Sequence, residues 1–329
     1  MKAMTSRERF IATLNHRQPD RVCVDFGGTR VSGIYARIVH KLKQRLLGPN
    51  APPTRVHEPY QMLAQVDEEL RTALGADVIG VWTRKNIFGY EVGGWKPFTL
   101  FDGTPVQVPA NFNVTPAPDG GWHTYPEGDM SVPPSGHMPK GGYFFDTIIR
   151  QEPLDEDNLN PEDNLEEFGL LNEADLAHYR QQVAWLDQNA KDTGVILLAP
   201  GMAFGDIALV PAPFLKRPKG IRDISQWYMV TAAEPDYVHA VFEKQCEFAL
   251  KNLGNRRLDQ LSTHRILISQ TQRGIARCAS GLKLSTKAAA SSAMRSTTSR
   301  AIPPSKTSSR CSGLSRTVRN NFLTGNSNQ

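Results

Sequence analysis

Apolar residues along this chain fall into two patterns, short continuous runs and longer stretches in which they recur every three or four positions. The continuous runs at 21–26, 77–82 and 194–200 predict buried β-strands. The periodic stretches predict amphipathic helices, which cover about residues 5–18, 34–46, 67–74, 172–186, 221–230 and 235–253. Because strands and helices alternate, the pattern indicates βα units built on a parallel sheet.

The predicted helices carry recognisable start and stop signals. Thr5 and Glu8 have the spacing of a capping box, Asn172 precedes Asp175 by the same three residues, and Gly48 ends the second helix. The buried stripe predicted for the second helix is Ile34, Ile38, Leu42 and Leu46. The stripe predicted for the helix after Asn172 is Leu176, Tyr179, Val183 and Leu186.

Residues 97–150 follow a different pattern, rich in glycine, proline and aromatic residues. Asp102-Gly103 and Asp119-Gly120 are turn signals, so we predict β-hairpins and extended loops that interrupt the βα pattern. The acidic segment 152–167 that follows is expected to be a solvated linker. The periodicity by itself leaves open whether the parallel sheet is a barrel or a doubly wound sheet.

The composition is that of a soluble globular protein, with 40% apolar and 22% charged residues. No run approaches the roughly 18 apolar residues of a membrane span, and the first ten residues lack the apolar core of a signal peptide. We therefore expect a cytoplasmic protein with no membrane partner. The four cysteines form no CxxC pair, so neither a disulfide framework nor a zinc knuckle is indicated.

Charge is distributed very unevenly between the body of the chain and its end. Of the 38 Lys and Arg residues, 11 lie in 260–329, which contains no Asp or Glu; the remaining 27 basic and 33 acidic residues leave the rest with a net charge of −6. From Ser285 onward the apolar periodicity also disappears, and we expect a disordered segment. The chain is accordingly divided into a domain at 1–258 and a basic tail at 259–329.

Several motifs, in order along the chain, resemble the uroporphyrinogen decarboxylase superfamily over about residues 4–258. They are Thr5-Ser6-Arg7-Glu8-Arg9-Phe10, Leu14-Asn15-His16-Arg17-Gln18-Pro19-Asp20-Arg21-Val22, Leu74-Gly75-Ala76-Asp77, Met138-Pro139-Lys140-Gly141-Gly142-Tyr143-Phe144-Phe145-Asp146, Gly201-Met202-Ala203-Phe204-Gly205-Asp206 and Pro235-Asp236-Tyr237-Val238. The resemblance implies a (β/α)8 barrel with its active site at the carboxyl ends of the strands. The barrel here is expected to be truncated, with a β-hairpin insertion near 97–150.

The resemblance implies one of two chemistries. The first is decarboxylation of a tetrapyrrole without a cofactor; the second is methyl transfer from a corrinoid protein to a thiol, activated by zinc. The chain departs from the decarboxylase pattern after the first two strands, where it has Asp25-Phe26-Gly27-Gly28-Thr29-Arg30 and Thr83-Arg84, and it lacks the His-x-Cys zinc motif of the methyltransferases. No cofactor is therefore expected in this chain, whereas a full-length methyltransferase would hold zinc.

Seven residues are candidates for the site. Asp25 and Asp206 follow predicted strands and are candidate catalytic carboxylates, with a loop ion pair or helix cap as the alternative role. The candidate substrate-binding residues are Arg30, Arg84, His57, Tyr60 and His137. For the last three, packing or surface exposure is the competing interpretation. His264, Cys278 and Cys311 match no zinc-ligand spacing.

Three interpretations of the basic tail remain open. The tail is the product of a broken reading frame, a natural basic arm that binds nucleic acid or another acidic surface, or the remainder of a barrel that a second chain completes. The first explains why the resemblance, the acidic residues and the remaining strands all end together, and it predicts an inactive chain. Nucleic-acid binding would make the protein a non-enzymatic binder whose affinity falls steeply with salt.

Overall fold

A computed structural model describes residues 3–155, 158–166, 168–197, 207–253 and the strand at 267–268. Its helices are α1 (Ser6–Leu14), α2 (Ala36–Leu47), α3 (Glu68–Ala73), α4 (Glu173–Asn189), α5 (Ile224–Ala233) and α6 (Pro235–Leu253). The strands β1 to β6 are Ile34–Tyr35, Val56–Glu58, Leu63–Ala64, Val78–Val81, Lys96–Thr99 and Pro105–Val108. The strands β7 to β12 are Val114–Pro116, Trp122–Thr124, Gly136–Met138, Asp146–Thr147, Gly194–Leu197 and Leu267–Ile268.

The fold is a mixed α/β arrangement with several small sheets. A parallel sheet has the strand order β12-β11-β4, so that each strand lies beside the preceding parallel strand of the chain. The parallel strands do not close into a barrel within the described residues. Among the helices described, none is long and apolar enough to cross a bilayer.

The extended segment 22–25 lies beside β4, although it is not itself a regular strand. The Asp77 N–H donates to the Val24 carbonyl at 2.7 Å, and the Asp77 carbonyl accepts from Gly194 N on the other side. The prediction of a strand at 21–26 was therefore correct about extended backbone and wrong about a continuous ladder. The segment still brings the loop after Val24 to the carboxyl end of β4.

The hairpins expected at 97–150 are confirmed. β5 pairs with β6 around Asp102-Gly103, where Gly103 has φ +83°, and β7 pairs with β8 around Asp119-Gly120, where Gly120 has φ +79°. Glycine adopts these left-handed conformations without the strain that a Cβ would bring. β7 to β10 form one antiparallel sheet in sequential order, and Phe88, Phe112 and Phe145 pack beneath the hairpins in the largest core cluster.

The stripe predicted for the second helix is confirmed only in part, since Ile34 and Leu42 pack against the core and the other two residues do not. α2 buries Ala36, Val39 and Lys43, whereas Ile38 and Leu46 are 45% and 44% exposed. Lys43 reaches the carbonyls of Pro52 and Pro53 and forms an ion pair with Asp67. A buried lysine with three partners cannot be identified from hydrophobic periodicity, because the pattern assigns charged residues to the solvent face.

The third quarter of the chain forms the other two core clusters. α4 carries the predicted stripe, since Leu176, Tyr179 and Leu186 are buried and Val183 packs against them. Part of the acidic segment 152–167 is not a solvated linker, because Asn164 is buried there and bonded to both Ile221 N and the Tyr237 hydroxyl. The predicted disorder from Ser285 lies outside the described residues.

Candidate active site at the carboxyl ends of the parallel strands

The amino end of β4 is filled by one network of ionised groups. Asp77 is completely buried, and its carboxylate accepts hydrogen bonds from Arg9 at 2.5 Å, Arg21 at 2.8 Å, Ser6 at 2.8 Å and the Val24 N–H at 2.9 Å. These bonds outweigh desolvation and lower the pKa of Asp77.

The same network joins three separate segments of the sequence. Arg9 is held from its other side by Asp20, at 2.7 Å. The motif around Arg9, the Asp20-Arg21 pair and Asp77 are three of the segments that carry the family resemblance, and they meet here. Their contacts anchor α1 and the segment 22–25 to β4, at the end of a parallel sheet where stability rather than catalysis is expected.

At the opposite end, the loop after segment 22–25 touches β4 backbone to backbone. A Cβ added to Gly80 would lie 2.1 Å from the Gly28 carbonyl oxygen and 2.8 Å from the Trp82 indole nitrogen. Only glycine allows this approach. Asp25 stands at the start of the loop, where its carboxylate accepts from Gly28 N at 2.9 Å and from the Ser32 hydroxyl at 2.8 Å.

His57 is buried against Trp82. Its ring centroid lies 4.1 Å from that of Trp82 at an interplanar angle of 62°, and neither ring nitrogen has a hydrogen-bond partner in the described part of the chain. Burial lowers the pKa of His57 to about 4, so the ring is neutral at pH 7. A buried polar group without a partner costs about 1–3 kcal/mol, and a functional role is one of the explanations for such a group in a native structure.

A buried carboxyl group follows His57 in the same strand. Glu58 accepts from Gln61 N at 2.9 Å and from Tyr60 N at 3.3 Å, and burial raises its pKa. The positive charge of Arg30 opposes that rise. Tyr90 is also buried, and burial raises its pKa, with the charge of Glu58 adding to the rise. The Tyr90 hydroxyl has no hydrogen-bond partner among the described residues.

Arg84 lies just beyond β4, and its guanidinium group is paired with two carboxylates of the protein. It forms ion pairs with Asp175 at 2.9 Å and with Glu91. Burial alone would lower the pKa of Arg84, and these two carboxylates raise it instead. Arg84 thus ties the end of β4 to the start of α4, whereas Arg30 is exposed and forms no ion pair within the described residues.

Tyr60 lines an open cleft of about 690 Å³. The cleft is bounded by Tyr35, Arg37, Ile38, Gln61, Tyr143 and Phe144. The ring of Tyr35 meets that of Tyr143 edge-on at 5.3 Å. Since the Tyr60 N–H also bonds to Glu58, the wall of this cleft is continuous with the turn that carries the buried carboxyl group.

The described candidate residues are thus distributed over three places: the carboxyl end of the parallel strands, the cleft that Tyr60 lines and the hairpin sheet. Asp25 and Arg30 share the loop after segment 22–25, and His57 and Arg84 are connected to it through Trp82 and β4. His137 lies on β9 and contacts Asp119 and His123 of the hairpin sheet. Asp206 lies outside the described residues, so its predicted role stays a prediction.

Sequence reasoning missed Glu58, Trp82 and Tyr90. Glu58 gives no clear signal in the sequence, because it lies between His57 and Pro59 in a mixed polar stretch and carboxylates are mostly exposed. Trp82 ends a predicted strand, the position at which barrel enzymes carry functional residues. Tyr90 has no comparable signal, since its burial depends on the neighbouring Phe88 and on the turn at Asn86.

Comparison with known protein families, with curated proteins and with solved structures finds no match to this chain.

Proposed function

We propose that the described domain is the amino-terminal part of an enzyme of the uroporphyrinogen decarboxylase superfamily, with a (β/α)8-type barrel that this chain leaves incomplete. The observation that carries the proposal is the order of the parallel strands. Segment 22–25, β4, β11 and β12 lie side by side in chain order. Barrels have this sequential order, whereas doubly wound sheets begin with a strand in the interior of the sheet.

The site favours an anionic substrate of the tetrapyrrole carboxylate type. Arg30 is an exposed guanidinium whose charge acts on the buried Glu58 carboxyl group, and such a cation binds a carboxylate in a bidentate way. Asp25 is positioned in the same loop at the carboxyl end of the strands. In this proposal Arg30 holds a substrate carboxylate, Asp25 contributes the catalytic carboxylate, and His57 against Trp82 forms a neutral wall.

We propose that this chain binds the substrate but does not convert it, because residues after 258 do not continue the family pattern. Zinc-dependent methyl transfer from a corrinoid protein to a thiol is the alternative within the same superfamily. The His-x-Cys zinc motif of that chemistry would belong to a later strand, in the part of the sequence that the basic tail takes here.

Binding of a fluorescent porphyrin carboxylate tests this proposal. Uroporphyrin I is titrated with the full chain, with Arg30→Ala and with Arg217→Ala, an exposed arginine that serves as the matched control. Loss of one charge-assisted hydrogen-bond pair is worth about 1.5–3 kcal/mol, so we expect Arg30→Ala to weaken binding by about tenfold to a hundredfold. Equal affinities for Arg30→Ala and Arg217→Ala, or no binding by the unaltered chain, would contradict the proposed site.

A further inference from the structure

The antiparallel sheet of the hairpin region aligns three metal-binding side chains in one row. His123 of β8 is the register partner of His137 of β9, and His137 is in turn the register partner of Asp146 of β10. Residues directly opposite one another in a sheet project from the same face. His123, His137 and Asp146 therefore stand side by side on three neighbouring strands.

The hydrogen-bond pattern brings the two histidines particularly close. Ala117 N donates to the Gly121 carbonyl, so Ala117 and Gly121 form a hydrogen-bonded pair of β7 and β8. Hydrogen-bonded and non-hydrogen-bonded pairs alternate along an antiparallel ladder. The Thr115–His123 pair lies two residues further along both strands and is therefore hydrogen-bonded as well. The backbone groups of His123 therefore point towards β7 and away from β9. His123 and His137 are consequently a non-hydrogen-bonded pair, the class with the closer side chains, and their ring centroids are 5.4 Å apart.

A carboxylate orients one of the two rings. Nε2 of His137 lies 3.1 Å from Oδ2 of Asp119, and the two side chains are 32% and 44% exposed. When Nε2 carries the proton and donates to Asp119, Nδ1 presents its lone pair. A histidine that donates its second nitrogen to a carboxylate is the usual arrangement around protein-bound metals.

We propose that His123 and His137 form a surface site for a divalent transition-metal ion of the copper, nickel or zinc class. Imidazole nitrogen is a favoured ligand for these ions, and copper(II) binds most tightly in the usual order of affinities. Asp119 positions His137, and Asp146 adds negative charge next to it in the row. Because no three potential ligands converge among the described residues, the protein supplies two ligands and water completes the coordination.

This site is independent of the proposed function. His123, His137 and Asp119 belong to the hairpin sheet, whereas the proposed anion site uses Arg30 and the turn at Glu58. Metal binding at the histidine pair therefore says nothing about porphyrin binding. The two proposals can succeed or fail separately.

Copper(II) titration of the full chain tests the proposal. Binding is followed by calorimetry and by electron paramagnetic resonance, on the unaltered chain, His123→Ala, His137→Ala and His239→Ala. His239 is an exposed histidine on α6 and is the matched control. We expect one site, weakened at least tenfold in His123→Ala and in His137→Ala and unchanged in His239→Ala. The resonance spectrum should report two nitrogen ligands in the unaltered chain and one in either single variant.

Two further results decide between a built site and chance surface binding. Thermal unfolding in a chelator should be the same for all variants, because the histidines are partly exposed and the sheet does not depend on them. Asp119→Asn should weaken copper binding by about 10- to 100-fold, the range found when a carboxylate behind a ligand is altered. Equal copper affinities in the unaltered chain and in both histidine variants would overturn the proposal.

Discussion

The two ends of β4 use ionisable residues in opposite ways. At the amino end, each oxygen of the buried Asp77 carboxylate has a donor, and the arginines around it are paired in turn. At the carboxyl end, His57 and Tyr90 are equally buried, yet their polar atoms lack partners in the described part of the chain. Both ends contain groups that are costly to bury, but His57 and Tyr90 do not offset that cost with hydrogen bonds among the described residues, whereas Asp77 does.

The difference is consistent with our proposal that the amino end serves stability and the carboxyl end binds a ligand. A saturated network has no donor left over for a substrate, whereas an unsatisfied polar group gains free energy when a ligand supplies the missing bond. The motifs of the family resemblance at Arg9, Asp20 and Asp77 belong to the saturated end. They therefore support the fold proposal more directly than the choice of chemistry.

The largest expected effect comes from removing the charge at the saturated end. Asp77→Asn leaves Arg9 buried with its charge partly uncompensated, and we expect a loss of about 3–5 kcal/mol in the free energy of unfolding. Urea denaturation measures the change, with the exposed Asp192→Asn as control. A loss equal to that of the control would mean that the network does not hold α1 to β4.

The second effect is a dependence of stability on pH that arises from His57. Its pKa is about 4 in the folded chain and about 6.5 when unfolded. Above pH 6.5 the ring is neutral in both the folded and the unfolded chain, so it does not make the stability depend on pH. As the pH falls from 6.5 to 4, the unfolded chain binds a proton that the folded chain does not, and the free energy of unfolding decreases. The full difference corresponds to about 3 kcal/mol.

His57→Phe keeps the ring contact with Trp82 and removes the titration. We expect the difference in unfolding free energy between the two proteins to widen towards pH 4, with the variant the more stable. The exposed His239→Ala variant should follow the unaltered chain throughout. Parallel stability curves for His57→Phe and the unaltered chain would show that His57 is not buried as described.

The smallest of the three effects concerns the contact between β4 and the loop after segment 22–25. Gly80→Ala forces the Gly28 carbonyl away from β4, because the added Cβ would lie 2.1 Å from it. Overpacking of this kind costs about 1–3 kcal/mol. Gly169→Ala is the control, since nothing lies within 4 Å of a Cβ there. Should both variants unfold at the same urea concentration, the close approach of the loop to β4 would be refuted.

The sequence by itself determined the elements that depend on near neighbours. The capping boxes of α1 and α4, the turns at Asp102-Gly103 and Asp119-Gly120 and the start of α6 at Pro235 all lie where they were predicted. Each of these signals needs only contacts within about four residues along the chain. Such contacts form in the same way whatever the rest of the fold does.

The positions of the candidate site residues were only partly predictable. That Asp25, Arg30 and Arg84 would follow strands could be expected from the alternation of strands and helices. That Arg84 would be neutralised by Asp175, 91 residues away, could not. The burial of Lys43 and Glu58 was equally hidden, because residue type predicts exposure for both.

Only the tertiary structure decided which polar groups would find partners. His57 meets Trp82, and Asp77 meets Arg9, through contacts that join segments distant in sequence. The partners are chosen by how the helices and small sheets pack, which periodicity does not encode. The presence of a partner affects stability most for buried groups, because a polar group away from water either gains a hydrogen bond or keeps its full desolvation cost.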